Sequence, residues 1–248
     1  MFAVPSGEDA QVFPPSLVRK DSTSSAPLAS VLPETTTHPC CVSRKNRPLI
    51  AEATTPGGFE PRDTAPGADL RTDLPRYRIY KRGELQQEVT DLLRHWNDDL
   101  VGFLLGCSFT FDDLLQKAGV PVRHREERRN VSMYVTNRAC APAGPFAGPL
   151  VVSMRPIPSA LVSRATEITA KLPLAHGAPV HAGDPHAIGI ADLNRPDFGD
   201  RVTLGPDEIP VFWACGVTPQ AVAMESKPEL MMSHAPGHMF ITDLTHAE

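Results

Sequence analysis

Two pairs of histidines in the second half of the chain share one local pattern. His176-Gly177-Ala178-Pro179-Val180-His181 and His234-Ala235-Pro236-Gly237-His238 both run His, Ala-Pro, His, and an aspartate trails each pair, Asp184 and Asp243. Proline and glycine exclude a helix across either pair, so the imidazoles are expected on rigid loops. Imidazole titrates near neutral pH, and a neighbouring carboxylate fixes its tautomer. That combination suits general acid–base transfer. Satisfied polar groups with no chemical task are the plainer alternative. Metal ligation is a third, since His and Asp are suitable ligands, but neither HExxH nor a Cys-rich spacing accompanies them.

Two other segments echo one another when their cysteines are aligned. Phe103-Leu104-Leu105-Gly106-Cys107-Ser108-Phe109-Thr110 lies over Val211-Phe212-Trp213-Ala214-Cys215-Gly216-Val217-Thr218. In each, an apolar strand ends at a cysteine and a threonine three residues later is placed to open a helix. A helix N-terminus presents unpaired N–H groups and a positive dipole end, which suit a carboxylate or phosphate. Gly106, Cys107, Ser108, Cys215 and Gly216 are therefore candidate substrate-binding residues. A helix N-terminus also lowers a thiol pKa; a small buried Cys filling a strand end is the competing reading. Arg155, between the apolar run 151–154 and Pro156, is a candidate fork for a substrate carboxylate. Its alternative is an ion pair with one of the aspartates. His176, His181, His234, His238, Asp184 and Asp243 complete the candidate set as catalytic groups.

The elements that must hold these residues are short. Arg76 to Tyr80 alternates and Arg82-Gly83 turns it, which predicts a hairpin. A short helix is expected after Thr90, a buried strand over residues 100–105, and a helix capped by Thr110 with Asp113 and ended by Gly119. Strands are expected near 131–136, 150–154, 188–191, 202–204, 211–214 and 239–242. Helices are expected from Ser159 to about Lys171 and from Thr218, with Pro219 in its first turn. Strands alternating with helices argue for an α/β or α+β architecture. Residues 1–46 show no period, with prolines at 5, 14, 15, 27, 33 and 39, and read as a loosely attached arm.

Composition narrows the function classes. With 24 basic and 29 acidic residues in 248, the net charge is −5, against a nucleic-acid or anionic-membrane surface as the main task. No apolar run reaches the eighteen or so residues of a membrane span, and no basic-then-apolar leader opens the chain. Five cysteines without CxxC indicate neither a disulfide framework nor a zinc ribbon, so a cytoplasmic location is expected. GxGxxG, P-loop, GxSxG and kinase motifs are absent, so no organic cofactor is expected. A divalent metal stays as a secondary option, and homo-oligomerisation is left open.

Several blocks together resemble the putative hydro-lyase family, also called the D-glutamate cyclase family. They include Arg71-Thr72-Asp73-Leu74-Pro75-Arg76-Tyr77, Gly106-Cys107-Ser108-Phe109, Gly148 through Val151-Val152-Ser153-Met154-Arg155-Pro156, Pro196-Asp197-Phe198-Gly199-Asp200 and Phe212-Trp213-Ala214-Cys215-Gly216-Val217-Thr218-Pro219. The resemblance runs from about Arg47 to the C-terminus. It implies a mixed-sheet α/β sandwich (47–120 and 206–248) with a second, smaller α+β lobe near 121–205. It also implies a lyase that removes water from a small amino or hydroxy (di)carboxylic acid, with closure of D-glutamate to 5-oxo-D-proline as the named activity. Members carry a block of the form Ala-Pro-Gly-Tyr-x-Gln-Ala-Asn ahead of this point, and residues 1–46 show nothing like it. A shifted reading frame or a mis-set start would produce such a change, and so would divergence. A non-catalytic carboxylate-binding protein, or an inactive member lacking that block, is the alternative expectation.

Overall fold

A computed structural model of the chain describes residues 16–19, 50–142, 146–235, 238 and 240–243. In chain order the elements are β1 (Ser16–Arg19), β2 (Ile50–Ala53), β3 (Tyr77–Lys81), β4 (Glu84–Val89), β5 (Leu100–Leu105), α1 (Phe109–Lys117) and α2 (Arg123–Glu126). They continue with β6 (Ser132–Ala139), β7 (Pro149–Pro158), α3 (Val162–Ala170), β8 (His181–Ala182), β9 (Glu208–Ala214), α4 (Val217–Ser226) and β10 (Met231–His234). No described helix is long and apolar enough to cross a membrane.

The strands form two sheets. The first has six strands in the order β2-β5-β1-β10-β3-β4, and the second four in the order β6-β7-β9-β8. Every described strand pair is antiparallel. The expected α/β architecture is therefore present as helices packed on antiparallel sheets. β1 comes from the segment in which the sequence shows no period, and it lies between β5 and β10, with Ser16 opposite both Phe103 and Ser233. The rest of residues 1–46 lies outside the described residues.

The hairpin β3–β4 forms as its sequence predicts. Arg82 (φ 50°) and Gly83 (φ 81°) are both left-handed, the pair that matches the twist of a two-residue turn. The backbone of α4 crosses close to this turn: a Cβ on Gly83 would stand 2.5 Å from the Met224 carbonyl oxygen.

Side-chain alternation gives each sheet two distinct faces. On one face of the six-stranded sheet, Tyr77, Ile79, Leu100, Leu104 and Met232 pack with Leu70, Leu74 and Leu92. On the other, Tyr80 and Met231 meet Val222 and Ala223 of α4. In the four-stranded sheet, Ile157, Val211 and Trp213 face Phe111 and Leu115 of α1 and Ala165 of α3. The opposite face carries Tyr134, Val152, Met154 and Phe212 against Ile188, Ile190 and Val202.

Several local expectations are corrected. After Thr90 there is no helix; a turn forms instead, in which the His95 and Trp96 N–H groups both donate to the Leu92 carbonyl. Residues 188–191 and 202–204 form no strand, and a 3-10 turn runs Pro185–Ile188. Helix α1 begins at Phe109, ahead of Thr110, and Asp113 pairs with Arg125 rather than capping it. Helix α4 begins at Val217, and the Thr218 hydroxyl donates to the Cys215 carbonyl. The last described strand is Met231–His234, earlier than the expected 239–242; Met239 lies outside the described residues.

Candidate functional site

Arg155 sits near the end of β7 with no exposed surface. Its cross-strand neighbour is Val211, and Ser153 is opposite Trp213, so it points to the side of the sheet that packs α1 and α3. Nε donates to Asp112 Oδ1 at 2.8 Å. One terminal nitrogen donates to Ser153 Oγ and the other to Ser108 Oγ, each at 3.2 Å. The guanidinium carbon lies 4.7 Å from the Phe111 ring centroid and 5.5 Å from that of Trp213, which adds cation–π attraction in a desolvated setting. The ion-pair reading of Arg155 is thus realised, with Asp112 as the partner. Burial alone would raise the Asp112 carboxyl, but Arg155 and His124 outweigh it and hold its pKa at about 2.

The two strand–Cys–helix turns meet this arginine. Ser108 ends the first turn and bonds Arg155 directly. The second sits close enough for Cys107 and Arg155 both to act on the Cys215 thiol. In each turn the cysteine sulfur receives the first helical amide. Phe109 N–H donates to Cys107 Sγ at 3.5 Å, and the Val217 and Gly216 N–H groups point at Cys215 Sγ. Sulfur is a weak acceptor, so these amides are held but not strongly bonded. Burial pushes the Cys215 thiol up to about 12 against those donors, which makes it a neutral thiol in this state. The echo between the two segments is therefore structural, with both turns arriving at one place.

His176 joins them from the loop after the 3-10 turn Pro173–Ala175. That turn lies against the first strand end so closely that a Cβ on Gly106 would stand 1.6 Å from the Leu174 carbonyl oxygen. Only glycine admits this approach. His176 is 1% exposed and has φ +78°, an uncommon conformation for a residue with a Cβ. Neither ring nitrogen has a hydrogen-bond partner. Burial, reinforced by the positive charge of Arg155, pushes its pKa down to about 3. An unpartnered buried imidazole is costly, on the order of 1–3 kcal/mol, and its presence calls for an explanation.

The other expected site residues are elsewhere. His181 pairs with Phe212 across β8–β9 and stacks on its ring at 5.8 Å. Phe212 and Arg155 lie on opposite faces of the sheet, so His181 does not reach the arginine. Its Nε2 lies 2.7 Å from the Asp184 carbonyl oxygen, while the Asp184 carboxylate accepts the His186 N–H. The expected Asp184–His181 proximity thus exists, but through the backbone. His234 ends β10 opposite Tyr77, on the face of the six-stranded sheet turned away from α4. Burial pushes its pKa down to about 3. His238 donates its N–H to the Ala235 carbonyl, and Asp243 its N–H to the Thr64 carbonyl. Pro236 and Gly237, between the two histidines, lie outside the described residues.

Two residues of the Arg155 cluster were not singled out from the sequence. Asp112 lies in the first turn of α1, and His124 Nε2 stands 3.1 Å from its Oδ2. A sequence signal existed for Asp112 alone: an aspartate in the first turn behind one of the two cysteine turns. His124 had none, because it sits in a mixed charge run that reads as a solvated face. Among the described residues, no three His, Cys, Asp or Glu side chains converge as a metal centre requires. An open cavity of about 670 Å³, lined by residues that include Arg76, Arg94 and His95, lies away from Arg155. The cluster itself is closed over. Chemically it offers a cationic fork, a neutral imidazole, hydroxyls and two helix N-termini, a set suited to holding a carboxylate and moving one proton.

Comparison with known proteins places the chain in a family. The sequence profile described as D-glutamate cyclase matches residues 101–243. A protein of Stutzerimonas stutzeri named a putative hydro-lyase is 61% identical over 205 residues, covering 83% of this chain and 77% of the relative. One of Bacillus licheniformis with the same description is 59% identical over 205 residues, covering 83% and 78%. One of Rubrobacter xylanophilus is 60% identical over 209 residues, covering 84% and 80%.

Proposed function

We propose, on the premise that this chain belongs to the D-glutamate cyclase family, that it is a lyase removing water from a small amino or hydroxy carboxylic acid. The finer reading is closure of D-glutamate to 5-oxo-D-proline. The observation that carries it is the meeting of a fully buried Arg155 with an unpartnered imidazole, His176, between two helix N-termini.

In that reaction the amine nitrogen bonds to the side-chain carboxyl carbon, one carbon–oxygen bond of that carboxyl breaks, and the oxygen leaves as water. The nitrogen gives up two protons in all, the first before it attacks, and the departing oxygen gains two to leave as water. Arg155 holds the α-carboxylate and so fixes the ring-closing geometry. His176 accepts the ammonium proton and returns it to the leaving oxygen, and the second proton that completes the water comes from the nitrogen as the amide forms. Its low basicity rises once a carboxylate lies beside it, because a nearby negative charge favours imidazolium. The amides now turned on Cys107 and Cys215 sulfur meet the developing oxyanion. None of these steps needs a redox group or an organic cofactor.

A binding protein without turnover is the second reading, favoured by the neutral resting state of both His176 and Cys215. Incubation with D-glutamate, followed by chromatography of 5-oxo-D-proline, separates the two. Turnover that His176→Leu abolishes supports the lyase. Calorimetric binding of D-glutamate without product supports the binding protein.

A further inference from the structure

We propose that Asp112, with its second oxygen turned away by His124, is a positioning residue that orients Arg155 for the ligand carboxylate. This rests on the reading of the Arg155 cluster given above.

The geometry distinguishes holding from simple neutralisation. A guanidinium and a carboxylate left to themselves pair through two parallel hydrogen bonds. Here only Oδ1 of Asp112 bonds Arg155, through Nε at 2.8 Å. Oδ2 faces His124 Nε2 at 3.1 Å and Arg125 Nε at 3.9 Å. The carboxylate is thereby shared, and the outer edge of the fork, made by the two terminal nitrogens, is left to neutral hydroxyls. Those contacts, Ser153 Oγ and Ser108 Oγ, are both 3.2 Å long, at the weak end of the range. An incoming carboxylate competes well with two long neutral bonds and poorly with a bidentate carboxylate. Rigid elements fix each part: Asp112 lies in the first turn of α1, Arg155 in a central strand, and the His124 ring stands 5.5 Å from that of Phe109.

Neutralisation and positioning predict opposite signs. If Asp112 only cancelled the charge of Arg155, removing it would tighten carboxylate binding. If it positions the fork, removing it weakens binding. The test is calorimetry of D-glutamate on the full chain, wild type against Asp112→Ala, with the Arg155 Nε–H followed by nitrogen-edited NMR. Loss of the Nε bond is expected to weaken binding by roughly tenfold or more, the size for a hydrogen bond to a charged group. The Nε–H signal, slow to exchange in the wild type, is expected to exchange quickly in the variant. Should Asp112→Ala fail to fold, Asp112→Asn keeps the shape with a weaker acceptor and is expected to weaken binding about threefold. Equal or tighter binding by a folded Asp112 variant overturns the positioning role while leaving the site reading intact. No carboxylate binding by the wild type overturns the site reading and this inference with it.

Discussion

The two faces of the four-stranded sheet carry polar groups of the same kinds and treat them in opposite ways. On one face, His181 stacks on Phe212 and its ring nitrogen meets the backbone of Asp184, three residues away. The polar groups there are satisfied by their own loop, which is what keeps a short irregular segment folded. On the other face, Arg155, Asp112 and His176 come from three separate parts of the chain and are buried together. Their polar capacity is only partly met: both His176 nitrogens lack a partner and the fork ends on long bonds. Local satisfaction marks a structural loop. Buried, unmet capacity gathered from distant segments marks a place where a ligand completes the set.

The largest expected effect comes from breaking the buried pair. Arg155→Ala leaves the Asp112 carboxylate uncompensated with no exposed surface, and is expected to cost about 3–5 kcal/mol in urea unfolding. His181→Ala on the opposite face should cost less than about 1 kcal/mol. Similar costs for the two would remove the contrast.

Glycines sharpen it next. Gly106→Ala drives a Cβ to 1.6 Å from the Leu174 carbonyl oxygen, so backbone must move, at about 1–3 kcal/mol. Gly183→Ala, beside His181, meets nothing within 4 Å and bears only its φ of +94°, a penalty of roughly 1–2 kcal/mol. Thermal unfolding of both variants checks the order, and Gly106→Ala should in addition disturb ligand binding.

Acid is the third lever, and its sign follows from the depressed pKa of His176. The unfolded imidazole takes a proton below about pH 6.5, whereas the folded one resists until about 3. The unfolded state therefore binds more protons across this window, and stability falls as pH drops from about 6.5 towards 3. The slope for one such group approaches about 1.4 kcal/mol per pH unit. Asp112, held at about 2, contributes stability that is present above the ordinary carboxylate pKa and is lost only as pH falls from about 4 to 2. His176→Leu should take one group's share from the slope in the upper window, leaving the share of His234, which is also pushed down to about 3, and should leave the lower window unchanged. It should also raise stability at neutral pH by about 1 kcal/mol, since an unpartnered polar group is removed. An unchanged slope would show that His176 is not the buried neutral group described.

Much of this was legible from residue types, and the failures have particular causes. The two cysteine turns and Arg155 could be found because each combines an apolar strand with an abrupt polar end, a local signal. Their convergence follows from the same cue, since strand ends collect where sheets and helices meet. Thr110 and Thr218 are of a type that caps helices, yet both helices start one residue earlier, with a cysteine sulfur taking the first amide in each turn. The His, Ala-Pro, His pattern groups His176 with His181, with only four residues between them in the chain. Sequence proximity does not report which face of a sheet a residue occupies, and register with Phe212 decided that. His124 was invisible because burial of one residue in a charged run depends on packing against α1.

The central claim is that the Arg155 face, and not the His181 face, receives the carboxylate. Calorimetry of D-glutamate on the wild type, Arg155→Lys and His181→Ala tests it most directly. Lysine keeps the charge and loses the planar fork. Binding should fall by at least roughly tenfold in Arg155→Lys and stay within about twofold of the wild type in His181→Ala. Retained affinity in Arg155→Lys together with lost affinity in His181→Ala would contradict the account.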